Sequence, residues 1–416
     1  MESVRADHVG PCYGYHRETA PNICELAEDG VQFNNAYAQG SATPVSMPTF
    51  LTSRSPRQVG MEFFDKRLSD EVDTFPEIFR DKGYETQLYS DHHSLFEVGF
   101  YQGMQAKEKM RKVEPPSKEN RKVFNFYFFL QRAHAPYIPA EEYRLWDDFE
   151  ENETELRELW NEKDYFQDDE WEQGEATRQE FINLYNGEIR HGDDKVGRII
   201  DDLKEEEVYD DALIVYWSDH GQRFGEYEEE VMGEDGGMAQ HTGPPDPIVT
   251  HVPLIIKFPD NEYAGKEIEE PVRLVDVAPT ILGYTDLMND FGTVGKSLIP
   301  LLEGKDLDLT VFSADRPHTL WSIIEEDGSY FLENVEDTCK KGFEAEDRVY
   351  NRIHSPSDNF TEEKVETVKE DLLREESLRE MLCGIYLAGG DKLYNTEPAM
   401  PEEETVERLE DLGYLE

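Results

Sequence analysis

The chain has 416 residues and carries 93 acidic side chains against 41 lysines and arginines, a formal net charge of −52. This charge excludes nucleic acids and anionic membrane surfaces as partners, because phosphate contacts need clustered basic residues. With 38% hydrophobic and 12% aromatic residues, the chain still has the apolar side chains for a core that disordered proteins lack.

Helix and strand signals alternate along the chain up to about residue 310. Helices are predicted over residues 22–29, 75–82 and 178–207, and the acidic, Trp-rich residues 140–180 are predicted as a helical excursion. Strands are predicted at residues 31–33, 85–89, 123–130, 212–217 and 252–258. The alternation predicts an α/β domain over residues 1–310, with a mostly parallel central sheet flanked by helices.

The pattern changes beyond residue 310. Residues 320–324 and 330–332 are typical of two strands paired around a turn at Asp327 and Gly328. Residues 404–415 are typical of a short amphipathic helix. These signals predict a smaller C-terminal α+β subdomain over residues 311–416.

Acidic residues are spread along the whole chain, with small clusters at 205–207, 228–230 and 402–404. Their mutual repulsion is screened when the Debye length falls to about 3 Å near molar salt. An acidic protein of ordinary habitat would more often concentrate its surplus in one disordered block. The composition therefore predicts a halophilic protein with the solvated acidic coat of an acidic proteome.

The four cysteines, Cys12, Cys24, Cys339 and Cys383, lie far apart without C-x-x-C spacing. This spacing predicts reduced thiols rather than a disulfide framework or a zinc site. The chain has no run of about 18 apolar residues, and its first ten residues lack the apolar stretch of a secretion signal. A cytoplasmic location without membrane insertion is therefore expected, provided that Met1 is the true start.

The strongest chemical signal is Ser218, Asp219, His220 and Gly221, directly after a predicted strand. Ligands of open α/β sheets bind beyond the carboxyl ends of strands, so Asp219 and His220 are expected to point into a cleft. A carboxylate and an imidazole on one tight turn can hold a divalent cation together. For the dipeptide alone, the alternative is an Asp that caps the next helix.

A second signal lies at residues 41–52. Ser46, Met47 and Pro48 are typical of a helix start, which places Thr43 just ahead of a helix whose N–H groups face a tetrahedral oxyanion. A cation beside the Thr43 hydroxyl would lower its pKa and make it a nucleophile. Taken alone, a hydroxyl before a helix is usually only a cap.

The sequence resembles the sulfatases, a family of the alkaline phosphatase superfamily. It is most similar to the haloarchaeal type within that family. The similar blocks occur in order at residues 2–14, 19–35, 187–203, 210–221, 252–256, 276–280, 295–302 and 408–415. Ordered blocks over nearly the whole chain are far more specific than any single motif. The resemblance implies an alkaline-phosphatase-like fold and an ester hydrolase.

The resemblance also implies a metal site. Asp219 and His220 match the metal-binding pair of the family, and Glu2 stands where the family has its first metal-ligating Asp. Two-metal members carry a carboxylate four residues before a histidine, whereas Leu130 precedes His134 here. One cation is therefore implied, held by Glu2, Asp219, His220 and the oxygen of Thr43, a set compatible with Ca²⁺, Mg²⁺ or Mn²⁺.

Two histidines resemble substrate-pocket residues of the family. His134, at the end of the predicted strand 123–130, could bind the ester oxygens or protonate a leaving group. His241 resembles a later histidine that could serve the same anion. The alternative for either is a surface imidazole.

Thr43 occupies the nucleophile position, where sulfatases have a Cys that is converted to formylglycine. No formylglycine can form at a threonine, so direct attack by its alkoxide, giving a phospho- or sulfo-threonine, is the covalent route that remains. The family's lysine is also missing, because Gly83 to Thr86 is followed by Asp91, His92 and His93.

The apolar strand that the family places before the Glu2 position is missing. Either the true start lies upstream and Met1 is internal, or the chain is shortened and impaired. The first explanation is favoured, because a sheet without a central strand exposes unpaired backbone and apolar surface.

The leading hypothesis is a metal-dependent hydrolase of small-molecule sulfate or phosphate esters, with Thr43 as nucleophile. One rival is a catalytically silent anion-binding or scaffold homologue, suggested by the altered nucleophile motif and the missing lysine. The other is a phospho-group transferase that uses the same threonine.

Overall fold

A computed structural model describes most of the chain. The described residues are 1–61, 66–90, 98–108, 122–128, 133–134, 137–146, 175–224, 245–288, 291–315, 320–325, 328–333, 339, 349–352, 365–367, 372–388 and 397–398. The predicted terminal helix 404–415 and residues 147–174 of the predicted excursion lie outside them.

The predicted helices and strands that fall on described residues recur in the structure, with bounds shifted by a few residues. The helices are α1 (Pro21–Asp29), α2 (Thr43–Thr52), α3 (Pro56–Val59), α4 (Phe75–Asp81), α5 (Glu175–Glu205), α6 (Pro247–Thr250), α7 (Val277–Tyr284), α8 (Ile299–Leu302) and α9 (Leu372–Ala388). Short 3₁₀ turns lie at Ala6–His8, Glu141–Tyr143, Pro259–Asn261 and Leu274–Asp276.

The strands form separate sheets within the described residues. They are β1 (Val31–Tyr37), β2 (Lys66–Arg67), β3 (Glu85–Ser90), β4 (Gln105–Glu108), β5 (Val123–Phe128), β6 (Ile214–Trp217), β7 (His251–Lys257), β8 (Lys266–Ile268), β9 (Val272–Arg273), β10 (Val311–Ala314), β11 (Leu320–Glu325), β12 (Gly328–Glu333), β13 (Val349–Arg352), β14 (Val365–Thr367) and β15 (Glu397–Pro398).

The sheet that carries β6 is mixed, so the prediction of a mostly parallel sheet was wrong. Its order is β6-β7-β1-β8, with β9 also paired to β1, and β7 runs antiparallel to both β6 and β1. The residues that follow β6 and those that precede β7 meet at one end of the sheet, where the Gly221 N–H donates to Val249 O at 2.7 Å. An apolar run shows that a strand is buried but does not show its direction.

A second sheet, β4-β3-β5, is parallel and shares an apolar core with the first. Phe50 of α2 stacks on Trp217 of β6, with ring centroids 3.7 Å apart, and lies 6.3 Å from Phe126 of β5. Helix α4 adds Phe75, which meets Phe50 edge to face at 5.6 Å. Helix α2 therefore packs against strands of both sheets.

Helix α5 packs against α1, and one of its carboxylates caps that helix. The buried Asp193 accepts hydrogen bonds from the backbone N–H groups of Asn22 and Ile23 at 3.2 and 2.8 Å, and from Asn22 Nδ2 at 2.7 Å. These N–H groups lie in the first turn of α1, where no carbonyl group of the helix itself can accept from them. Burial raises the pKa of Asp193 to about 6, against the opposing effect of these hydrogen bonds.

Beyond residue 310, strands β10 to β14 form an antiparallel sheet in sequence order. The predicted pair of strands is present as β11 and β12, and Trp321 of β11 packs edge to face on Tyr386 of α9 at 5.6 Å. The sheet is tied to the preceding part, because Ala314 N–H donates to Gln39 O at 3.2 Å. The division into units at residue 311 stays a prediction.

All four cysteines are paired, so the prediction of reduced thiols was wrong. The disulfides are Cys12–Cys24 and Cys339–Cys383, with Cα atoms 5.4 and 5.3 Å apart. Sequence spacing does not reveal which segments meet in space, and the second pair is separated by 44 residues. Disulfides persist in oxidising compartments, and they do not support the predicted cytoplasmic location.

No helix in the described part of the chain is both long and apolar enough to cross a bilayer.

The raised pKa of Asp193 predicts how the free energy of unfolding depends on pH. Because this pKa is about 6 in the folded chain and 3.8 ordinarily, the folded state binds more protons than the unfolded state between about pH 4 and 6. The free energy of unfolding should therefore rise as the pH falls through this window, by up to about 1.4 kcal/mol per pH unit from this group. An Asp193→Asn variant should lack this contribution.

Urea unfolding at pH 7 and pH 5 in molar KCl checks it. The matched control is Asp201→Asn, on an exposed position of the same helix, which should keep the wild-type dependence. Parallel pH curves for the wild type and Asp193→Asn would contradict the prediction.

Candidate active site

The turn that carries Asp219 and His220 follows β6 directly and is closely packed. A Cβ atom built on Gly221 would lie 2.4 Å from Ile248 O and 3.0 Å from Arg5 Cγ. Only glycine fits so close to backbone, and this explains the residue that ends the motif.

The N-terminal segment is held against the same end of β6. Its contacts are made by backbone N–H groups, so they fix the path of the chain at residues 1–4. The amino group of Met1 donates to Trp217 O at 2.7 Å, Ser3 N–H to Asp219 Oδ1 at 3.1 Å, and Val4 N–H to Ser218 Oγ at 2.8 Å.

A tyrosine from α5 supports this segment. The Tyr185 hydroxyl donates to Ser3 O at 2.8 Å and accepts from Arg5 N–H at 2.9 Å. Burial raises the pKa of Tyr185 far above its usual value, so the hydroxyl keeps the proton that it donates. Ser3 has φ +57°, a left-handed conformation that a non-glycine residue keeps only when its surroundings hold it.

The two oxygens of Asp219 have different partners. Oδ1 accepts from the N–H groups of Ser3 and His220 at 3.1 and 3.0 Å. Oδ2 accepts from the Thr43 hydroxyl at 2.7 Å. The backbone therefore orients the carboxylate and aims one oxygen at Thr43.

The ring of His220 is oriented in the same way. Its Nδ1 lies 2.7 Å from Gly221 O, a carbonyl that only accepts, so Nδ1 carries the proton. The lone pair of Nε2 then points at Thr43 Oγ1, 3.1 Å away. A histidine whose other nitrogen donates to a backbone carbonyl is the form that ligates metals.

Glu2 completes a cluster with Asp219 and His220. All three side chains are fully buried, and one ligand atom from each lies within 4.8 Å of the others. Two carboxylates buried together repel each other, and a divalent cation between them removes that cost. The oxygen and imidazole donors fit a hard or borderline cation. Burial lowers the pKa of the neighbouring Met1 amino group to about 6, while Asp219 and Glu2 raise it.

Thr43 lies at the centre of this cluster. Its Oγ1 is 2.7 Å from Asp219 Oδ2, 3.1 Å from His220 Nε2 and 3.2 Å from Glu2 Oε1. Thr43 is the first residue of α2, with Ala42 as the N-cap, so the predicted helix start at Ser46 was late by three residues. Pro44 suits the first helical turn because it has no N–H to leave unpaired.

Two further histidines were predicted for the site. His134 is buried at 4% exposure and lies beyond the end of β5. His241 lies outside the described residues. Their roles stay predictions.

The structure adds residues that the sequence did not single out. The buried Arg223 pairs with the buried Asp246 at 2.7 Å, and Arg5 pairs with Asp7 at 2.8 Å. Tyr185 had no local signal, because its partner Ser3 lies 182 residues away. Arg223 lies three residues after His220, and this position beside a predicted buried motif is the one signal that the sequence offered for it.

A family model described as Sulfatase matches residues 1–124 and 107–287 of the chain. Among curated relatives, the N-acetylglucosamine-6-O-sulfatase of Bacteroides thetaiotaomicron is 21% identical over 393 residues, which cover 71% of this chain and 68% of that protein. Arylsulfatase H of Canis lupus familiaris is 33% identical over 144 residues, 31% of this chain, and the chain spans only 25% of that protein.

Solved structures share the fold at low identity. A phosphonate monoester hydrolase of Agrobacterium radiobacter matches with a TM-score of 0.67 and 18% identity, covering 93% of this chain and 94% of that one. A protein solved with its substrate D-glucosamine-2-N,6-O-disulfate matches with a TM-score of 0.68 and 16% identity, covering 93% and 96%.

Gly221→Ala should destabilise the chain, because the added Cβ atom would lie 2.4 Å from a backbone oxygen. Overpacking of this kind costs about 1–3 kcal/mol. Gly384→Ala is the matched control: this glycine lies on the exposed side of α9 with open space around it, so alanine should stabilise by about 0.5–1 kcal/mol. Urea unfolding measures both, and effects of the same sign would contradict the packing described.

Proposed function

The chain belongs to the sulfatase family of ester hydrolases, and we propose that it cleaves small-molecule sulfate or phosphate esters with Thr43 as nucleophile. One observation carries this proposal: the Thr43 hydroxyl lies within 3.2 Å of an oxygen or nitrogen of Glu2, Asp219 and His220. A hydroxyl surrounded by metal-ligand groups has the surroundings of a metal-activated nucleophile.

We propose that one divalent cation, Ca²⁺, Mg²⁺ or Mn²⁺, is held by Glu2, Asp219, His220 and Thr43. When bound, it would neutralise charge on the transferred group and lower the pKa of the hydroxyl. The orientation of Asp219 Oδ2 and His220 Nε2 by backbone partners supports this choice of ligands.

Different residues of the chain would then carry out the separate steps of the reaction. Thr43 Oγ1 attacks the sulfur or phosphorus atom as the alkoxide, after its proton has passed to solvent. The bond to the leaving oxygen breaks, and that oxygen takes a proton from His134, with His241 binding the anion. Water then cleaves the sulfo- or phospho-threonine and restores the hydroxyl.

This route differs from formylglycine chemistry. We assign Thr43 to the position at which sulfatases have their modified cysteine, and a threonine side chain cannot become an aldehyde hydrate. Direct attack by the alkoxide requires a cation close to the oxygen, and the contacts of Thr43 with three ligand groups support that requirement.

The proposed substrates include both sulfate and phosphate esters. The similar proteins include an N-acetylglucosamine-6-O-sulfatase and a phosphonate monoester hydrolase. Sulfate and phosphate esters both offer a tetrahedral oxyanion, so we propose a small ester of either kind.

We also propose a halophilic setting. A net charge of −52 favours a compact state only when salt screens the repulsion. The two disulfides do not support a cytoplasmic location, because disulfides are rare in reducing compartments.

Thr43→Ala should reduce turnover by a factor on the order of 10³ or more while the fold remains, because the nucleophile is lost. Thr43→Ser should keep measurable activity. The matched control is Thr52→Ala, at the other end of the same helix, where the hydroxyl donates to Pro48 O at 2.7 Å. Assays on paired aryl sulfates and phosphates in molar KCl check this, and full activity of Thr43→Ala would remove it from the mechanism.

Removal of a ligand should remove the metal. Asp219→Asn should weaken the binding of Mn²⁺ or Ca²⁺ by more than about 100-fold, because even supporting residues of metal sites are worth 10–100-fold. Isothermal titration and elemental analysis measure it, with the exposed Asp201→Asn as control. A wild-type protein that binds no divalent metal and cleaves no ester would favour the silent scaffold instead.

A further inference from the structure

Several buried polar side chains near the candidate active site have no hydrogen-bond partner among the described residues. Four of these are neutral, are at most 1% exposed and lie within three residues of Glu2, Thr43 or His220 in the sequence. They are Ser3, Ser41, Ser46 and Gln222. A buried polar group without a partner costs free energy, so its position beside a candidate site points to a ligand that supplies the partner.

The hydroxyl of Ser46 is directed toward the start of α2. Ser46 lies three residues after Thr43 in this helix, and residues three apart are neighbours with Cβ atoms about 5–6 Å apart. Each Cα–Cβ bond of a helix also tilts toward the N-terminus, so the Ser46 side chain leans toward the turn that begins with Thr43. This turn also carries the positive end of the helix dipole.

The hydroxyl of Ser41 lies on the chain just before this turn. Ala42, between Ser41 and Thr43, is extended, with φ −148° and ψ 153°. Side chains two residues apart in extended backbone point to the same side. The Ser41 N–H donates to Ala314 O at 3.2 Å, which fixes the segment against β10. Two neutral hydroxyls therefore flank the proposed nucleophile.

The charges of the proposed metal centre sum to zero. Glu2 and Asp219 contribute two negative charges, and both are offset by one divalent cation. His220 is neutral, because its Nδ1 carries the proton and its Nε2 keeps a lone pair. The centre therefore has no surplus positive charge to share with a substrate.

Two arginines beside the centre are already offset by carboxylates. Arg5 pairs with Asp7 at 2.8 Å, and Arg223 pairs with Asp246 at 2.7 Å. One turn beyond Thr43 in α2, Met47 is apolar and belongs to the main hydrophobic core. These side chains therefore add no net positive charge.

We propose that Ser41 and Ser46 donate hydrogen bonds to the oxyanion of the substrate, and that the site prefers singly charged esters to doubly charged phosphate monoesters. The singly charged esters are sulfate monoesters and phosphate diesters. Neutral donors satisfy the oxygens of an anion without offsetting its charge. In a buried centre of zero net charge, a second substrate charge stays uncompensated, which is costly. This inference rests on the proposed function, because it assumes the metal-loaded centre around Thr43.

Three esters that share the 4-nitrophenyl group and differ in charge test the preference. At pH 8, 4-nitrophenyl sulfate and methyl 4-nitrophenyl phosphate carry one charge, whereas 4-nitrophenyl phosphate carries two because its second pKa is about 6. Isothermal titration in molar KCl uses the Mn²⁺-loaded Thr43→Ala chain, which lacks the proposed nucleophile. Both singly charged esters should bind at least about 10-fold more tightly than the doubly charged one.

Alanine variants test the two hydroxyls. Ser41→Ala and Ser46→Ala, each combined with Thr43→Ala, should weaken binding of 4-nitrophenyl sulfate by about 10–100-fold, because hydrogen bonds to charged groups are the stronger kind. Neither variant should lower the midpoint of thermal unfolding without ligand, since each hydroxyl has no partner to lose among the described residues. The matched control is Ser313→Ala, which removes an equally buried and unpartnered hydroxyl on β10 and should leave the affinity unchanged.

Equal or tighter binding of the doubly charged ester would overturn the charge preference, and so would failure of all three esters to bind. Equal affinities in Ser46→Ala and Ser313→Ala, or a lowered midpoint in Ser46→Ala, would overturn the hydroxyl contacts. Binding with the expected preference but no turnover by the wild-type chain would overturn the proposed hydrolase and leave this inference in place. Turnover that favours the doubly charged ester would do the reverse.

Discussion

The site depends on the hydrogen bonds that hold residues 1–4 against the end of β6. These bonds join positions more than two hundred residues apart, and they bring Glu2 beside the turn that carries Asp219 and His220. Two of the donors are backbone N–H groups and the third is the amino group of Met1, so most side-chain substitutions leave them in place. The same contacts occupy Asp219 Oδ1 and leave Oδ2 to face Thr43.

The buried carboxylates of the chain have different kinds of partner. The buried carboxylates of Asp246 and Asp276 each have an arginine partner at 2.7 Å, and such pairs offset the cost of desolvation. Glu2 and Asp219 both contact the Thr43 hydroxyl, and both raise the pKa of the Met1 amino group beside them. Together with His220 they form a buried group that could hold a metal ion.

Local features of the sequence were predictable, and pairings between distant segments were not. The motif Asp219-His220 could be placed after β6 because an apolar strand and the turn that follows it are adjacent in the sequence. The start of α2 was predicted late because Thr43 and Pro44 form its first turn without a side-chain cap. The direction of β7 and the pair Cys339–Cys383 depend on how remote segments meet, which no local pattern encodes.

The three candidate ligands are therefore held in place to different degrees. Asp219 and His220 stand directly after a strand that is paired with β7 and backed by an apolar core, so their positions are set by many contacts. Glu2 projects from a short segment in which Ser3 adopts a left-handed conformation and Met1 borders a cavity. A metal site is only as well ordered as its least constrained ligand, because all donors must converge within a few tenths of an ångström. The order of the backbone at residues 1–4 therefore limits how well Glu2 can converge with Asp219 and His220 on one cation.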